Sequence, residues 1–96
     1  MRVEFVERTD GPQRLVCDVE LIFDENGPME GMKLTGLAIW RGADGQLRVT
    51  FPARTYEMGQ QRHYYDHLRS VNGTPEPARR LKSWILDEHR SRSRAA

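Results

Sequence analysis

Cationic and aromatic residues recur through the second half of this chain, and both types have chemistry suited to nucleic acids. Five arginines, at positions 41, 48, 54, 62 and 69, recur through the central stretch with tyrosines at positions 56, 64 and 65, and three more cations open the last predicted element. Arginine forks donate to phosphate oxygens, and tyrosine rings stack on unpaired bases. The candidate nucleic-acid-binding residues are therefore Arg54, Arg62, Arg69, Arg79, Arg80 and Lys82. The alternative is that the arginines are surface charges and the tyrosines pack within a sheet or a dimer.

One cluster, His63, Asp66 and His67, has side chains of the types that bind metals. On a strand the two histidines would lie roughly 13 Å apart, at about 3.3 Å per residue. On a helix they would be one turn apart and near enough to bind zinc, but no cysteine lies nearby to complete a tetrahedral set. The sequence therefore predicts no metal site.

No pattern of residues predicts an enzyme. Cys17, the only cysteine, lies in a strand pattern without a histidine close in sequence, and there it behaves as a small apolar residue. Because it has no partner for an intramolecular disulfide, it fits a reducing compartment. Gly42 and Gly45 join two predicted strands, so they indicate a hairpin turn and not a phosphate-binding loop. We predict no catalytic residue, no cofactor and no small-molecule substrate.

The composition is that of one globular domain, with 96 residues of which 38% are hydrophobic and 30% charged. Residues 1–33 hold eight acids and four bases, a net −4, whereas residues 34–96 hold eleven bases and six acids, a net +5. Such asymmetry can form a basic binding face. No run of about 18 apolar residues predicts a membrane span. We expect a soluble, cytoplasmic protein with no membrane partner.

Period-two alternation of apolar residues predicts antiparallel strands. The most regular pattern places Cys17, Val19 and Leu21 on one face of a single strand. Gly36 interrupts another strand and predicts a bulge or a close backbone approach. A loop is predicted over 53–61, and a short helix is the alternative to the last strand. The five predicted strands are Arg2–Arg8, Arg14–Phe23, Met32–Arg41, Gln46–Phe51 and Arg62–Leu68.

The last predicted element is an amphipathic helix, for which Thr74 and Pro75 suit the first positions. Its core face follows three–four spacing through Ala78, Leu81, Trp84, Ile85 and Glu88. We expect it to end near His89 and residues 91–96 to form a flexible basic tail. The predicted fold is α+β, an antiparallel β-sheet of about five strands with one C-terminal α-helix, in a single domain over residues 1–90.

A succession of short motifs runs from the third predicted strand to the helix. The apolar strand Leu37–Trp40 enters a Gly/Asp turn, and an alternating strand then ends in the step Phe51-Pro52. A basic residue, a loop glycine and a second basic residue follow, here Arg54, Gly59 and Arg62. The helix ends in the apolar–acidic segment Ile85-Leu86-Asp87-Glu88. Over about residues 1–90, this succession resembles the stage V sporulation protein G (SpoVG) family of septation regulators.

Several features depart from that family's pattern. The loop at 24–31 is longer, and the stretch between Gly45 and Pro52 is one residue longer. The family's acidic residue before the hairpin is replaced by Gly36-Leu37, and its Asp-x-x-His-Pro run after the loop glycine is replaced by His63–Leu68. The chain therefore resembles a divergent branch, and these changes bear on its binding specificity.

The resemblance implies a non-enzymatic, homodimeric regulator of bacterial septation or sporulation that binds DNA or RNA. A homodimer is also expected because a five-stranded sheet covered by one helix leaves a face and an edge open. The alternative hypothesis is a protein-interaction module. In that case Tyr64, Tyr65 and Trp84 would form the dimer or a partner interface, and the charges would keep the protein soluble.

Overall fold

Four antiparallel strands form the main sheet of the structure, a computed structural model that describes residues 1–95. They are β1 (Arg2–Val6), β2 (Leu15–Ile22), β3 (Lys33–Arg41) and β4 (Leu47–Thr50), paired in that order. A separate two-stranded sheet consists of β5 (Ala53–Met58) and β6 (Gln61–Asp66), and the helix α1 (Glu76–Ala95) follows. The predicted α+β class is confirmed, with six strands in two sheets instead of about five in one.

The core lies between one face of the main sheet and α1. The alternation of β2 puts its predicted face inward, so that Cys17, Val19 and Leu21 are each at most 2% exposed. Ile85 of α1 meets them from the other side and is fully buried. Burial of one such aliphatic side chain stabilises the fold by about 1.5–3 kcal/mol. The buried cluster consists of Val3, Cys17, Val19, Leu21, Leu37, Ile39, Val49, Phe51 and Ile85.

The other face of the main sheet carries charged residues in ion pairs. Lys33 Nζ lies 3.2 Å from Glu20 Oε1, and Arg8 donates to Asp18 Oδ2 over 3.3 Å. These pairs make part of the face polar. Val6, the register partner of Asp18, lies on the same face and is 43% exposed.

The chain leaves the main sheet at Pro52, which packs against Gly36. The pairing of β3 with β2 is irregular beside that glycine, with a register shift between Val19 and Leu21. Gly36 has a φ of 95°, and a Cβ at this position would lie 2.9 Å from the Cβ of Pro52. Glycine meets both requirements because it tolerates positive φ and has no side chain. The predicted bulge and close approach are confirmed.

We call the hairpin of β5 and β6 the arm (residues 53–66). The sequence prediction of a loop over 53–61 is wrong, because β5 pairs with β6 through a turn at Gly59. Gly59 has a φ of 67°, as expected for the first residue of a two-residue hairpin turn. Every residue of β5 is exposed, so no apolar alternation marks it in the sequence. The strand conformation of β6 also excludes the helical alternative for this stretch.

The helix α1 continues to Ala95, beyond its predicted end near His89. Arg92 accounts for the extension, since it donates to the carbonyl oxygen of Val3 over 2.6 Å and its guanidinium lies 5.1 Å from the Phe5 ring centroid. These contacts hold the last turns against β1. Residues 91–95 of the predicted flexible tail are therefore helical, and residue 96 lies outside the described residues. Within the described residues, no helix combines the length and apolar character needed to cross a membrane.

Candidate nucleic-acid interface

The register of the arm sorts its side chains into two faces of different charge. Residues opposite one another in an antiparallel pair project to the same side. One face, which we call the acid-free face, consists of Arg54, Tyr56, Met58, Gln61, His63 and Tyr65. The other, which we call the mixed face, consists of Ala53, Thr55, Glu57, Arg62, Tyr64 and Asp66. Both carboxylates of the arm thus lie on the mixed face.

Two guanidinium groups gather at one tyrosine ring on the acid-free face. The guanidinium of Arg69, which follows β6, lies 4.4 Å from the ring centroid of Tyr65, and that of Arg54 lies 5.7 Å from it. Such cation–π contacts stabilise by about 0.5–1 kcal/mol at exposed sites. They also limit the conformations of two long side chains. The result is a concentrated positive charge at the base of the arm.

An aromatic pair occupies the next position along the acid-free face. The rings of Tyr56 and His63 are stacked, with centroids 5.3 Å apart and planes at 19°. Tyr56 remains 44% exposed, and Met58 beyond it is 65% exposed. The arm therefore presents a partly exposed aromatic stack to solvent. Packing of the arm against the rest of the domain does not explain why these apolar and aromatic side chains occur here.

None of the six predicted binding cations forms an ion pair with a carboxylate among residues 1–95, at a limit of 4.0 Å. Three other arginines, Arg14, Arg41 and Arg94, also form none within these residues. Six cationic side chains do form ion pairs, namely Arg2, Arg8, Lys33, Arg48, Arg90 and Arg92. A surface cation without an ion pair is available to an anionic partner without first separating from a carboxylate.

The start of α1 borders the base of the arm. A shallow cavity is lined by Tyr65 and Arg69 from one side and by Ala78 of α1 from the other, and Tyr64 and Asp66 of the mixed face also reach it. Arg79 and Arg80 follow directly and are exposed. Lys82 differs, because it is half-buried with its Nζ 4.9 Å from the ring centroid of Phe51. Lys82 therefore covers the core as well as adding charge.

The structure separates residues that the sequence grouped together. Arg62 lies on the mixed face, opposite Glu57, and so faces away from Arg54 and Arg69. Tyr64 and Tyr65 are adjacent in sequence but project to opposite faces of the arm. Trp84 is half-buried against the core, so it does not form one exposed surface with them.

Sequence reasoning missed the pairing of Tyr56 with His63. The signal that could have located it is Gly59, which lies midway between two polar stretches of equal length. Once Gly59 is taken as a hairpin turn, the residues flanking it pair in order, and Tyr56 meets His63. Treating 53–61 as a loop removed that possibility.

The histidines and the cysteine have no constellation around them for metal or nucleophilic chemistry. Across residues 1–95, no three His, Cys, Asp or Glu side chains are grouped so that they could hold a metal ion. Burial raises the pKa of the Cys17 thiol to about 11, and the nearby charges of Asp18 and Glu7 add to the rise. The thiol is therefore protonated and enclosed at neutral pH.

Comparison of the chain with models of protein families, with curated proteins and with solved structures gave no match.

Proposed function

We propose that this protein is a homodimeric regulator that binds DNA or RNA through the acid-free face of the arm and the start of α1. The observation that carries the proposal is that the guanidinium groups of Arg54 and Arg69, neither of which has a carboxylate partner among residues 1–95, gather at the Tyr65 ring on a face of the arm that has no acid. Phosphates are the ligands that such unpaired arginines bind best.

The number of available cations predicts how strongly binding depends on salt. Arg54 and Arg69 lie at the base of the arm and Arg79 and Arg80 near the start of α1, and all four are exposed and without an ion pair within the described residues. Each phosphate contact contributes a slope of about −0.7 to −0.9 to the logarithmic salt dependence. Four contacts therefore predict that affinity falls about 50- to 150-fold when salt rises from about 50 to 200 mM.

Charge reversal at the start of α1 tests the proposal. Fluorescence anisotropy with labelled DNA and RNA should show that Arg79→Glu with Arg80→Glu weakens binding about tenfold or more and lowers the salt slope by about two. The control is Arg90→Glu with Arg94→Glu, which makes the same change in net charge at the other end of the same helix. It should leave the affinity within about threefold.

Circular dichroism should give the same helix content for both double variants. Absence of any anisotropy change with wild-type protein at low salt, for either nucleic acid, would reject nucleic-acid binding. Equal losses from the two double variants would mean that only net charge matters and would reject this interface.

A regulatory role in septation or sporulation is supported by the resemblance of the motif succession from Leu37 to Glu88 to the SpoVG family. We propose on the same basis that the protein acts in the cytoplasm. Deletion of the gene followed by microscopy of dividing or sporulating cells tests the role. Normal septum placement and spore formation would contradict it.

The homodimer is supported by one open strand edge. The edge strand β1 is contacted by Arg92, whose guanidinium binds the carbonyl oxygen of Val3. The edge strand β4 has a neighbour on one side only in the main sheet. An unpaired edge is a natural site for pairing with a second chain. Light scattering should give twice the 11.2 kDa chain mass, and a mass of one chain at micromolar concentration would refute the dimer.

A protein-interaction module is the second candidate, favoured by a concavity between the main sheet and the mixed face. Trp40 and Tyr64 line it, and Tyr64 is 69% exposed. A stoichiometric protein partner that survives nuclease treatment and is lost with Tyr64→Ala would support this function. Capture that requires nucleic acid would instead support the first proposal.

A further inference from the structure

The acid-free face combines an exposed aromatic stack with a pair of positioned guanidinium groups. We infer that it binds single-stranded nucleic acid, with an unpaired base stacked on Tyr56 and His63 and the adjoining phosphates contacted by Arg54 and Arg69. This inference rests on the proposed function and adds to it the form of the ligand and a role for the aromatic pair.

The aromatic pair is suited to a base because a base can extend the stack on an outer ring face, and Tyr56 is partly exposed. The rings of Tyr56 and His63 lie nearly parallel, and Tyr56 is 44% exposed. Bases in a duplex are already stacked on their neighbours, whereas unpaired bases are free to stack on aromatic side chains. The surface therefore favours single strands over duplexes.

The phosphate contacts lie at the right separation from this surface. Tyr65 is two residues from His63 along β6, which places it about 7 Å away on the same face. Its ring holds Arg54 and Arg69 through the two cation–π contacts. A base and the phosphate of an adjoining nucleotide can span this distance. Tyr65 is thus a positioning residue, while Tyr56, the more exposed ring of the stack, contacts the base and His63 supports Tyr56 from behind.

Electrostatics select the acid-free face over the mixed face. The concavity on the mixed face also contains an exposed tyrosine, Tyr64, but Asp66 lines it and Glu57 lies on the same side of the arm. Carboxylates near a phosphate repel it. The two faces carry the same aromatic residue type with opposite electrostatic settings, and this provides a matched control within one hairpin.

The first measurement uses wild-type protein and three labelled probes of equal length at about 50 mM salt. They are a thymidine strand, an abasic strand with the same phosphates, and a duplex; a uridine strand then compares RNA with DNA. Anisotropy should show that the thymidine or uridine strand binds at least tenfold more tightly than the abasic strand and the duplex. Stacking of one base corresponds to about 5- to 150-fold in affinity.

The second measurement compares Tyr56→Ala with Tyr64→Ala. Tyr56→Ala should weaken binding of the thymidine strand about 5- to 150-fold and leave binding of the abasic strand unchanged. Tyr64→Ala removes a tyrosine side chain from the mixed face instead. It should leave the affinities for the thymidine strand and the abasic strand within about twofold of the wild type. Tyr65→Ala should weaken both strands alike, because it releases the two arginines that contact phosphate.

The outcomes separate this inference from the proposed function. If no probe binds wild-type protein, nucleic-acid binding itself fails. If the duplex and the abasic strand bind as tightly as the thymidine strand, the protein binds nucleic acid but the stacking inference is overturned. Since that comparison uses wild-type protein, it holds even if a variant disturbs the arm.

Discussion

The arm should be removable without loss of the fold. The buried cluster of the domain contains no residue between 53 and 66, and the strands of the arm are exposed on both faces. Ala53 and Asp66 are partners in the register, so a two-residue Asn-Gly turn can join them after deletion of residues 54–65. The 2.8 Å hydrogen bond that the His67 amide donates to the Pro52 carbonyl oxygen lies outside the deleted segment and remains next to the new turn.

The expected change in stability is small because its two contributions oppose each other. The deletion shortens the connection between Phe51 and Leu68 from sixteen residues to six. Loop-closure entropy then favours the folded state by about 0.9 kcal/mol. The lost hairpin is marginally stable by itself and offsets part of this gain. The net change should lie within about 1 kcal/mol, or at most about 4–8 °C in melting temperature.

Urea denaturation followed by tryptophan fluorescence measures this change, since Trp40 and Trp84 both lie outside the arm. The unfolding midpoint should stay close to that of the wild type, while binding of the thymidine strand should be lost. A loss of several kcal/mol, or a chain that no longer unfolds cooperatively, would refute the view of the arm as a separate projection. Unchanged binding of the thymidine strand by the deletion variant would refute the role of the arm in nucleic-acid recognition.

Further predictions concern Gly36, Ile85 and Cys17 in the domain itself. Gly36→Ala should cost about 1–3 kcal/mol in urea denaturation, because φ of 95° strains other residues and the new methyl group meets Pro52; no change would contradict that account. Ile85→Ala should cost about 2–5 kcal/mol by the same assay, and a smaller loss would mean that α1 is not docked by this residue. Cys17 should resist a thiol reagent at pH 8 until urea unfolds the chain, and rapid labelling of folded protein would refute its burial. Because its folded pKa of about 11 exceeds the ordinary 9.0, the stability contributed by its protonated thiol should be lost as pH rises from 9 to 11, and Cys17→Ala should reduce that loss.

The predicted elements agree with the structure where one face of an element is buried. The inward residues of β2 alternate with acids, and the first turns of α1 repeat apolar residues at helical spacing, so both sequence patterns indicate which face contacts the core. β5 has no buried face, and its sequence therefore shows no such periodicity. The end of α1 was predicted too early for a related reason, since Arg92 is held by a carbonyl oxygen of β1, far away in sequence.

The candidate site could likewise be predicted from the sequence only in part. The residue types that bind phosphates and bases are visible in the sequence, and five of the six predicted cations lie on the arm's acid-free face, beside it or on the helix that borders it. The separation of Arg62 from Arg54, and of Tyr64 from Tyr65, follows from the register of the hairpin.

The sequence by itself determined the α+β class, the bulge at Gly36, the buried face of β2 and the cationic character of the second half. Local propensity and burial pattern act over a few residues, so they can be recognised without coordinates. Only the tertiary structure decided which cations form ion pairs with acids, which aromatic rings stack and which face of the arm is free of carboxylates. These properties depend on strand register and on contacts between distant residues, for which no short-range pattern exists.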